Sequence, residues 1–583
     1  MSYLSSAFII LVTTRSLDHH GIVSGIYDEL EIGKVIDEVL PKLGQHKLSH
    51  SIIVKAMILN CLGFVDSRLY MYSQYFETLP VERLLGPGIS ASDLTDDVLG
   101  RTLDEIYEAD STQLFMKLAM KMLEIVNIRT QLLQSDTTNF SLHGDYEYID
   151  GSSSIEITYG HAKDGRDDLK RFGLGMITNQ YGIPLFAKAY SGNASDKETI
   201  IEAMKKLQEN ITFPADVYYI ADSALYSDNN IKSMRKGMKW ITRVPSTLNL
   251  SKDLLISDLD FKPGKDPRYS FYETIVEYGG IKQKWVVVHS SEMQKRKDVT
   301  FEKKIKRIVK EAQKDLKDLK KIKFACEEDA RASLERWKRE NPHCLLETAE
   351  ISTISKREKG KRGRPQKNEK LIVHYVINAE AIRNEEITLN EKECQGRFII
   401  SSNDTNLDAE KMLDHYKNQS KVEKGFRFIK DKSFRVSEVY LKKPQRIEAL
   451  SMVMVLTLMV YSVAEWKLRE RLKETGETIR NQIKKQTQKP TLKWVFTLMR
   501  GITEVKIEVE SKVVTQIANM DEVKDKIIRL MGINCEKYYI WVKICGKTEV
   551  SMAPLKNRSS SHSPHIIKAD SFTLRDFLRL STQ

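Results

Sequence analysis

Cysteine is scarce and unpatterned in this chain. Six occur in 583 residues (Cys61, Cys326, Cys344, Cys394, Cys535 and Cys545), with no CxxC pair and no histidine at zinc spacing. This excludes a disulfide framework or a zinc ribbon and points to reduced thiols in a cytosolic protein. Long apolar runs are also missing. Ala7 to Val12 is too short for a signal-peptide core, has no basic residue before it and leads to Asp18, so it reads as a buried strand or helix start. Ala449 to Ala464 is interrupted by Ser451, Thr457, Tyr461 and Ser462 and falls short of a membrane span, which predicts a core helix. No aromatic RNA-binding motif or internal repeat is visible, which argues against an RNA-binding or structural role. Acid is in deficit: 92 Lys plus Arg face 80 Asp plus Glu, a net charge of +12. That balance favours a polyanionic partner such as nucleic acid. The length predicts three or more structural units.

From Leu17 to about Arg129 the apolar spacing is helical, through Ile52, Ile53, Ala56, Met57 and Leu59 and again through Leu114, Leu118, Met122 and Ile125. Ser92 and Asp93 read as the cap of a short helix over Leu94 to Tyr107. The texture resembles a helix-turn-helix unit. From Gln131 to Pro245 it turns to strands: Leu132 to Leu142 around Asp136, then Gly173 to Thr178 and Ile183 to Tyr190, joined by the turn Asn179 to Gly182. A helix over Lys197 to Gln208 precedes the apolar run Val217 to Ile220. Asp222 follows that run where a strand ends, before a helix capped by Ser227 or Asp228. Trp240 to Val244 is one more strand. Pro245 to Gln395 breaks this order with a strand pair (Tyr269 to Glu277, Lys284 to His289), a charged helix from Phe301 to Arg339 and the Lys/Arg/Gly run Lys356 to Lys370, and reads as an insertion. Afterwards Arg397 to Ser401 is strand-like and Asp408 to Lys430 helical. The tail beyond Lys484 carries no assignable role.

Two-metal phosphoryl transfer needs carboxylates that converge from separate elements, because both hard cations take oxygen ligands within one small site. Asp136 within one strand and Asp222 at the end of another meet that need if their strands pair. On the predicted helix, Tyr416, Gln419, Glu423, Arg427 and Lys430 share one face, with Val422, Phe426 and Ile429 as an apolar stripe to one side. A solvated polar face has the same pattern.

The segment YKNQSKVEKGFRFIK resembles the Y-x2-R-x3-E-x6-K signature of DDE transposases of the insertion-sequence-four type, matched at Tyr416, Glu423 and Lys430. SDTTNFSLHG around Asp136, YYIADSALYS around Asp222, the stretch Tyr159 to Asp196 and VYLKKPQRIEAL resemble the same group, in the branch with a helical N-terminal domain. The resemblance implies an α/β fold: a ribonuclease H-like catalytic core, a β-rich plus helical insertion domain and a helical N-terminal domain. It implies Asp136, Asp222 and Glu423 as catalytic residues and metal ligands for two Mg2+ ions, with Mn2+ able to substitute. The partners would be double-stranded DNA, as terminal inverted repeats and as target, and a second copy of the chain in a homodimer, with a cytoplasmic, nucleoid-associated location. The 201 residues from Asp222 to Glu423 suit an insertion. One departure is Gln419 where the signature has arginine, which removes a fixed charge and a bidentate phosphate grip: either Lys417 or Arg427 compensates, or end processing is weakened. Arg243 matches a basic position that such enzymes use on DNA, and Arg362 and Arg364 flank Gly363 in an AT-hook-like core suited to a narrow minor groove.

The expected organisation is a transposon-end-binding helical domain over 1–128, the first part of the core over 129–245, the insertion over 246–396, the second part of the core over 397–483 and a C-terminal region over 484–583. The expected activity is metal-dependent DNA cleavage and strand transfer. The alternatives are a decayed or domesticated DNA-binding protein of the same fold and a structure-specific nuclease that does not join strands.

Overall fold

The computed structural model describes residues 10–42, 44, 46–63, 71–144, 146, 154–162, 165–234, 238–356, 372–431, 441–509, 512–540 and 544–545. The chain forms two compact units. The smaller comprises Met1–Thr13, Lys506–Gln516 and Val542–Gln583. Its described part is a sheet built in the order Ile10–Ser16, Thr503–Val509, Lys512–Ala518, Ile544–Cys545. Of the apolar run Ala7 to Val12, read as a buried strand or helix start, the described part from Ile10 to Val12 is strand, exposed at Leu11 and Val12. Leu11 and Val12 are each 54% exposed, because an edge strand of so small a sheet has little to bury it.

The larger unit is mixed α/β and is organised on a nine-stranded sheet. In chain order its strands are β1 (Leu132–Leu142), β2 (Lys170–Asn179), β3 (Pro184–Ser191), β4 (Tyr218–Ala221), β5 (Lys239–Arg243), β6 (Lys262–Pro263), β7 (Tyr269–Tyr278), β8 (Ile281–Ser290) and β9 (Arg397–Ser402). Their spatial order is β3-β2-β1-β4-β5-β9-β8-β7-β6. The first three are antiparallel, whereas β4 runs parallel to β1 and β5 parallel to β4. β2 turns into β3 through Gly182 at φ +81, with Asn179 Oδ1 accepting from the amides of Tyr181 and Ile183 at 3.0 and 3.1 Å. The parallel step from β3 to β4 needs a crossover, which the helix Asp196–Asn210 supplies. β9 pairs antiparallel with both β5 and β8, so the hairpin of β7 and β8 continues the same sheet. The rest of the sequence-defined insertion builds its own small core. Helices Ser291–Leu319 and Glu327–Glu340 pack Leu316, Leu334 and Trp337 against the hairpin Cys344–Lys356 and Ile372–Arg383.

The N-terminal region is helical, with helices His20–Glu29, Ile32–Val39, His50–Leu62, Tyr72–Glu77, Val81–Leu85, Asp96–Glu108 and Ser111–Val126. Thr95, rather than Ser92 or Asp93, caps Asp96–Glu108 by accepting from the Val98 amide, while Ser90 and Asp93 close a capping box on the preceding short turn. The apolar run at Ala449 lies in one long helix, Pro444–Thr475, that opens on proline and ends at Gly476 with φ +70. It is long and apolar enough to cross a membrane, but 89% of its most apolar window is buried inside the protein, so it serves as a core helix. Leu456, Met459 and Leu472 along it are fully buried, and each such side chain contributes about 1.5–3 kcal/mol of hydrophobic stabilisation.

The tail, without a role in the sequence, closes this core. Glu522–Met531 and Ile533–Glu536 lie against Pro444–Thr475 and His20–Glu29. Contact with His20–Glu29 is close enough to require glycine: a Cβ on Gly25 would stand 2.6 Å from Cys535 Cα, and one on Gly21 2.6 Å from the Tyr539 ring.

Candidate active site

The pairing of β1 with β4 sets the first two carboxylates. Leu132, Leu133 and Gln134 lie level with Tyr218, Tyr219 and Ile220 in parallel register. The pairing ends there, two residues short of Asp136 on one strand and of Asp222 on the other, and continued by two residues the same register would set these two level on one face. Asp222 stands just past the end of β4 and begins the next turn, its Oδ1 accepting from the Ala224 amide at 2.9 Å. Thr242 on β5 donates to the Asp222 carbonyl at 2.7 Å and pins this strand end. Asp136 Oδ1 accepts from the Thr137 amide at 2.8 Å. Asp222 opens onto a cleft of about 460 Å³ lined by Lys197, Ser223, Ser227, Thr247 and Tyr278.

The segment predicted as one helix from Asp408 to Lys430 is two: Ala409–Lys417 and Ser420–Ile429. Asn418 and Gln419 keep helical dihedrals, but the amides of Gln419 and Lys421 bond three residues back, to Tyr416 and Asn418. This tightened joint breaks the single face drawn from the sequence. Tyr416 lies in the last turn of the first helix, Glu423, Arg427 and Lys430 lie on or just past the second, and Gln419 falls at the joint, where only 7% of it is exposed. The apolar stripe behaves as predicted, with Val422, Phe426 and Ile429 buried.

Both helices lie along the strand face that carries Asp136. Leu132 packs with Met412 and Leu413 of the first, while Lys430 donates to the Asn139 carbonyl at 2.7 Å and sits 5.1 Å from the Phe140 ring centre. Tyr416 links the parts electrostatically. Burial raises its hydroxyl above the usual tyrosine range, Arg243 opposes this by charge and by a hydrogen bond, and Asp222 and Glu423 both add to the rise. One hydroxyl therefore feels two of the three carboxylates together with Arg243. Arg243 ends β5, exposed, with its guanidinium 5.5 Å from the Phe398 ring centre. Glu423 and Arg427 are exposed. Arg362 and Arg364 lie outside the described residues.

Among the described residues, no group of three or more His, Cys, Asp or Glu side chains is gathered tightly enough to hold a metal ion. Asp136 and Asp222 each turn an oxygen to a backbone amide, and Glu423 sits on a separate helix.

The family described as transposase DDE domain matches residues 136–460, more than half of the chain. The chain belongs to this transposase family. The match opens at Asp136 and spans Asp222 and Glu423. A second family, a domain of unknown function (DUF4277), matches residues 12–120 and so covers most of the N-terminal helices of the transposase. No curated protein matches the chain. Transposases of the DDE family are divalent-metal-dependent enzymes that act on DNA. Two features of the transposase escaped the sequence: the joint at Gln419, because a change of hydrogen-bond partner leaves apolar periodicity intact, and the closure of the N-terminal helices by the tail.

Proposed function

We propose that this transposase cleaves and joins DNA through Asp136, Asp222 and Glu423, as an insertion-sequence enzyme of the four type with a signature helix like that of the Y-R-E-K branch. The observation that supports the reading is the parallel pairing of β1 with β4, the strands that lead to Asp136 and Asp222, beside a helix that carries Glu423. The strand order β3-β2-β1-β4-β5, three antiparallel strands followed by two parallel to β1, supports a ribonuclease H-like core.

The donor set is all carboxylate oxygen, which suits hard divalent cations such as Mg2+ and, in its place, Mn2+. Asp136, Asp222 and Glu423 would hold two ions, which supply Lewis-acid stabilisation of the charge that develops in phosphoryl transfer. The chain's own residues provide the rest. Arg243 and Tyr416 position a phosphate beside the carboxylates, Lys430 fixes the end of the signature helix on β1, and Arg427 offers an exposed cation to the DNA backbone. Gln419, buried at the joint, has no charge to offer, so the grip of the signature arginine passes to its neighbours. The N-terminal helical domain is the transposon-end-binding part, the AT-hook-like Arg362 and Arg364 assist it in the minor groove, and two copies act together on paired ends in the cytoplasm.

The test is magnesium-dependent cleavage and joining of a labelled duplex that carries the flanking inverted repeat, with the native chain and Glu423→Gln compared. Loss of both products in the variant, with DNA binding retained, is the expected result. Binding without cleavage by the native chain, in magnesium or manganese, would replace this reading with that of a decayed DNA-binding protein. Cleavage without joined product would make it a nuclease.

A further inference from the structure

A buried glutamine ties the hairpin of β7 and β8 to the turn that begins at Asp222. Asp222 opens the single tight turn Ser223–Leu225, which closes on Tyr226: the Leu225 amide donates to the Asp222 carbonyl at 3.2 Å and the Tyr226 amide to the Ser223 carbonyl at 3.1 Å. The Tyr226 side chain is buried, and its hydroxyl donates to Gln283 Oε1 at 2.9 Å. Gln283 lies on β8 and is fully buried. The same oxygen accepts from Ser401 on β9 at 2.7 Å and from the Trp285 indole at 3.4 Å, while the Gln283 amide nitrogen donates to the Tyr278 carbonyl at 2.9 Å. Trp285 also donates to the Tyr226 hydroxyl at 3.1 Å. The hairpin tip adds a second hold. Tyr278 stacks on Tyr226 with ring centres 5.0 Å apart and planes 15° from parallel. Gly279, at φ +61, comes so close that a Cβ there would stand 2.9 Å from Ile231, on the helix that follows the turn.

A side-chain amide is costly to bury unless its donor and acceptor are met, and here both are. Leucine would fill much the same space without that demand, so what Gln283 adds is direction. It holds one hydroxyl at the end of a turn whose beginning is Asp222. Asp222, Tyr226 and Tyr278 all line the cleft of about 460 Å³, so the hydrogen bond and the carboxylate belong to one wall. Groups behind a metal's ligands fix how those ligands point, and losing one costs about 10–100-fold in affinity or activity. We propose that Gln283 is a positioning residue for the divalent-ion site: through Tyr226 it sets the turn that presents the Asp222 carboxylate, and so gives the hairpin of β7 and β8 control over metal affinity. This rests on the reading of Asp222 as a metal ligand given above.

The experiment uses the full chain and two readouts: Mn2+ affinity by titration calorimetry, and the Mg2+ concentration that gives half-maximal cleavage of the inverted-repeat duplex. Gln283→Leu should weaken both about tenfold while DNA binding stays at the native level. Tyr226→Phe keeps the ring and deletes only the hydroxyl, and it carries the test if the leucine variant does not fold. It should shift both readouts the same way, and the double variant should be no worse than Gln283→Leu alone, because the two act through one bond. Ser401→Ala removes a different bond to the same oxygen and is the structural control. It should lower the denaturation midpoint and leave both metal readouts native. Native metal affinity in folded Tyr226→Phe and Gln283→Leu would overturn the positioning role. So would an equal loss in Ser401→Ala, since loosening anywhere in the network would then suffice. A native chain that binds Mn2+ but cleaves no DNA overturns the catalytic reading instead, and calorimetry then decides the role of Gln283 alone. A native chain that binds no Mn2+ removes Asp222 from a metal site and the positioning role with it.

Discussion

Asp28 and Asp222 both stand near the ends of secondary-structure elements, and the protein surrounds them in opposite ways. Asp28, in the last turn of His20–Glu29, is bonded by Lys55 at 2.9 Å, by Lys537 at 2.7 Å and by the Tyr538 hydroxyl. Burial pushes its carboxyl up, but these three partners together hold it below the usual aspartate range. Asp222 stands at the rim of a cleft, with one oxygen on a backbone amide and its neighbours Asp136 and Glu423 of the same charge sign. An acid neutralised within the chain cements two segments far apart in sequence, here residues 28 and 538. An acid at an open strand end is the kind that the proposed reading would pair with a divalent ion from outside. The difference separates a clasp from a site, and substitutions should separate the two in stability and in activity.

The largest effect belongs to the site. Asp222→Asn should reduce magnesium-dependent cleavage by about a thousandfold or more, since on the proposed reading it would remove one of the carboxylates that hold the metal. Asparagine can still accept from the Ala224 amide, so the unfolding free energy should change by less than about 0.5 kcal/mol. Parallel cleavage assays and denaturation curves measure the two effects. Cleavage that survives the change would remove Asp222 from the site.

At the clasp the balance should reverse. Gly25→Leu drives a side chain against the Cys535 backbone, 2.6 Å from where its Cβ would stand, and backbone cannot step aside as a flexible side chain can. A loss of about 3 kcal/mol or more is expected, read by denaturant unfolding, with limited proteolysis releasing the segment that contains Tyr538. A fully stable variant would mean that the tail does not seat on His20–Glu29 in solution. Tyr538→Phe is gentler. It deletes a hydroxyl that donates to Asp28 and accepts from Lys55 at 2.8 Å but keeps the ring, so about 1–2 kcal/mol is expected from the same unfolding curves, with cleavage rate unchanged at a permissive temperature.

The sequence disclosed these two regions unequally, for a physical reason. Strands β1 to β5 and β9 were legible because alternating or continuous apolar runs mark each one, and Asp222 was legible because it follows such a run directly. That the strands leading to Asp136 and Asp222 are parallel neighbours required the pairing register, which no single strand encodes. The joint at Gln419 was hidden because tightening three-residue hydrogen bonds leaves Val422, Phe426 and Ile429 in helical rhythm. The clasp was hidden more deeply. Cys535, Tyr538 and Tyr539 sit in a short segment with little periodicity, and their meaning comes entirely from Gly21, Gly25, Asp28 and Lys55 some five hundred residues earlier. The family resemblance supplied Glu423, a position that periodicity left equally open to a solvated helix face.

The smallest effect tests whether pH acts through the structural side of this comparison. Glu448 lies one turn into the helix Pro444–Thr475, half-buried, and burial raises its carboxyl to about 6 from the ordinary glutamate value of 4.5, opposed by contacts with the Ile155 backbone and Ser111. A carboxyl whose folded value is raised binds its proton more tightly when folded. Its favourable contribution is complete below about pH 4.5 and is lost as pH climbs through about 6. From pH 4.5 to 7 this one group should therefore withdraw on the order of 1–2 kcal/mol of stability. Glu448→Gln should abolish that withdrawal, leaving the variant more stable than the native chain at pH 7 and close to it at pH 4.5. Denaturant unfolding at the two pH values measures it directly. If the difference between native and variant is the same at both, Glu448 is not protonated in the folded helix, and the acid side of stability falls to Asp28, whose lowered carboxyl acts with the opposite sign and loses its contribution as pH falls.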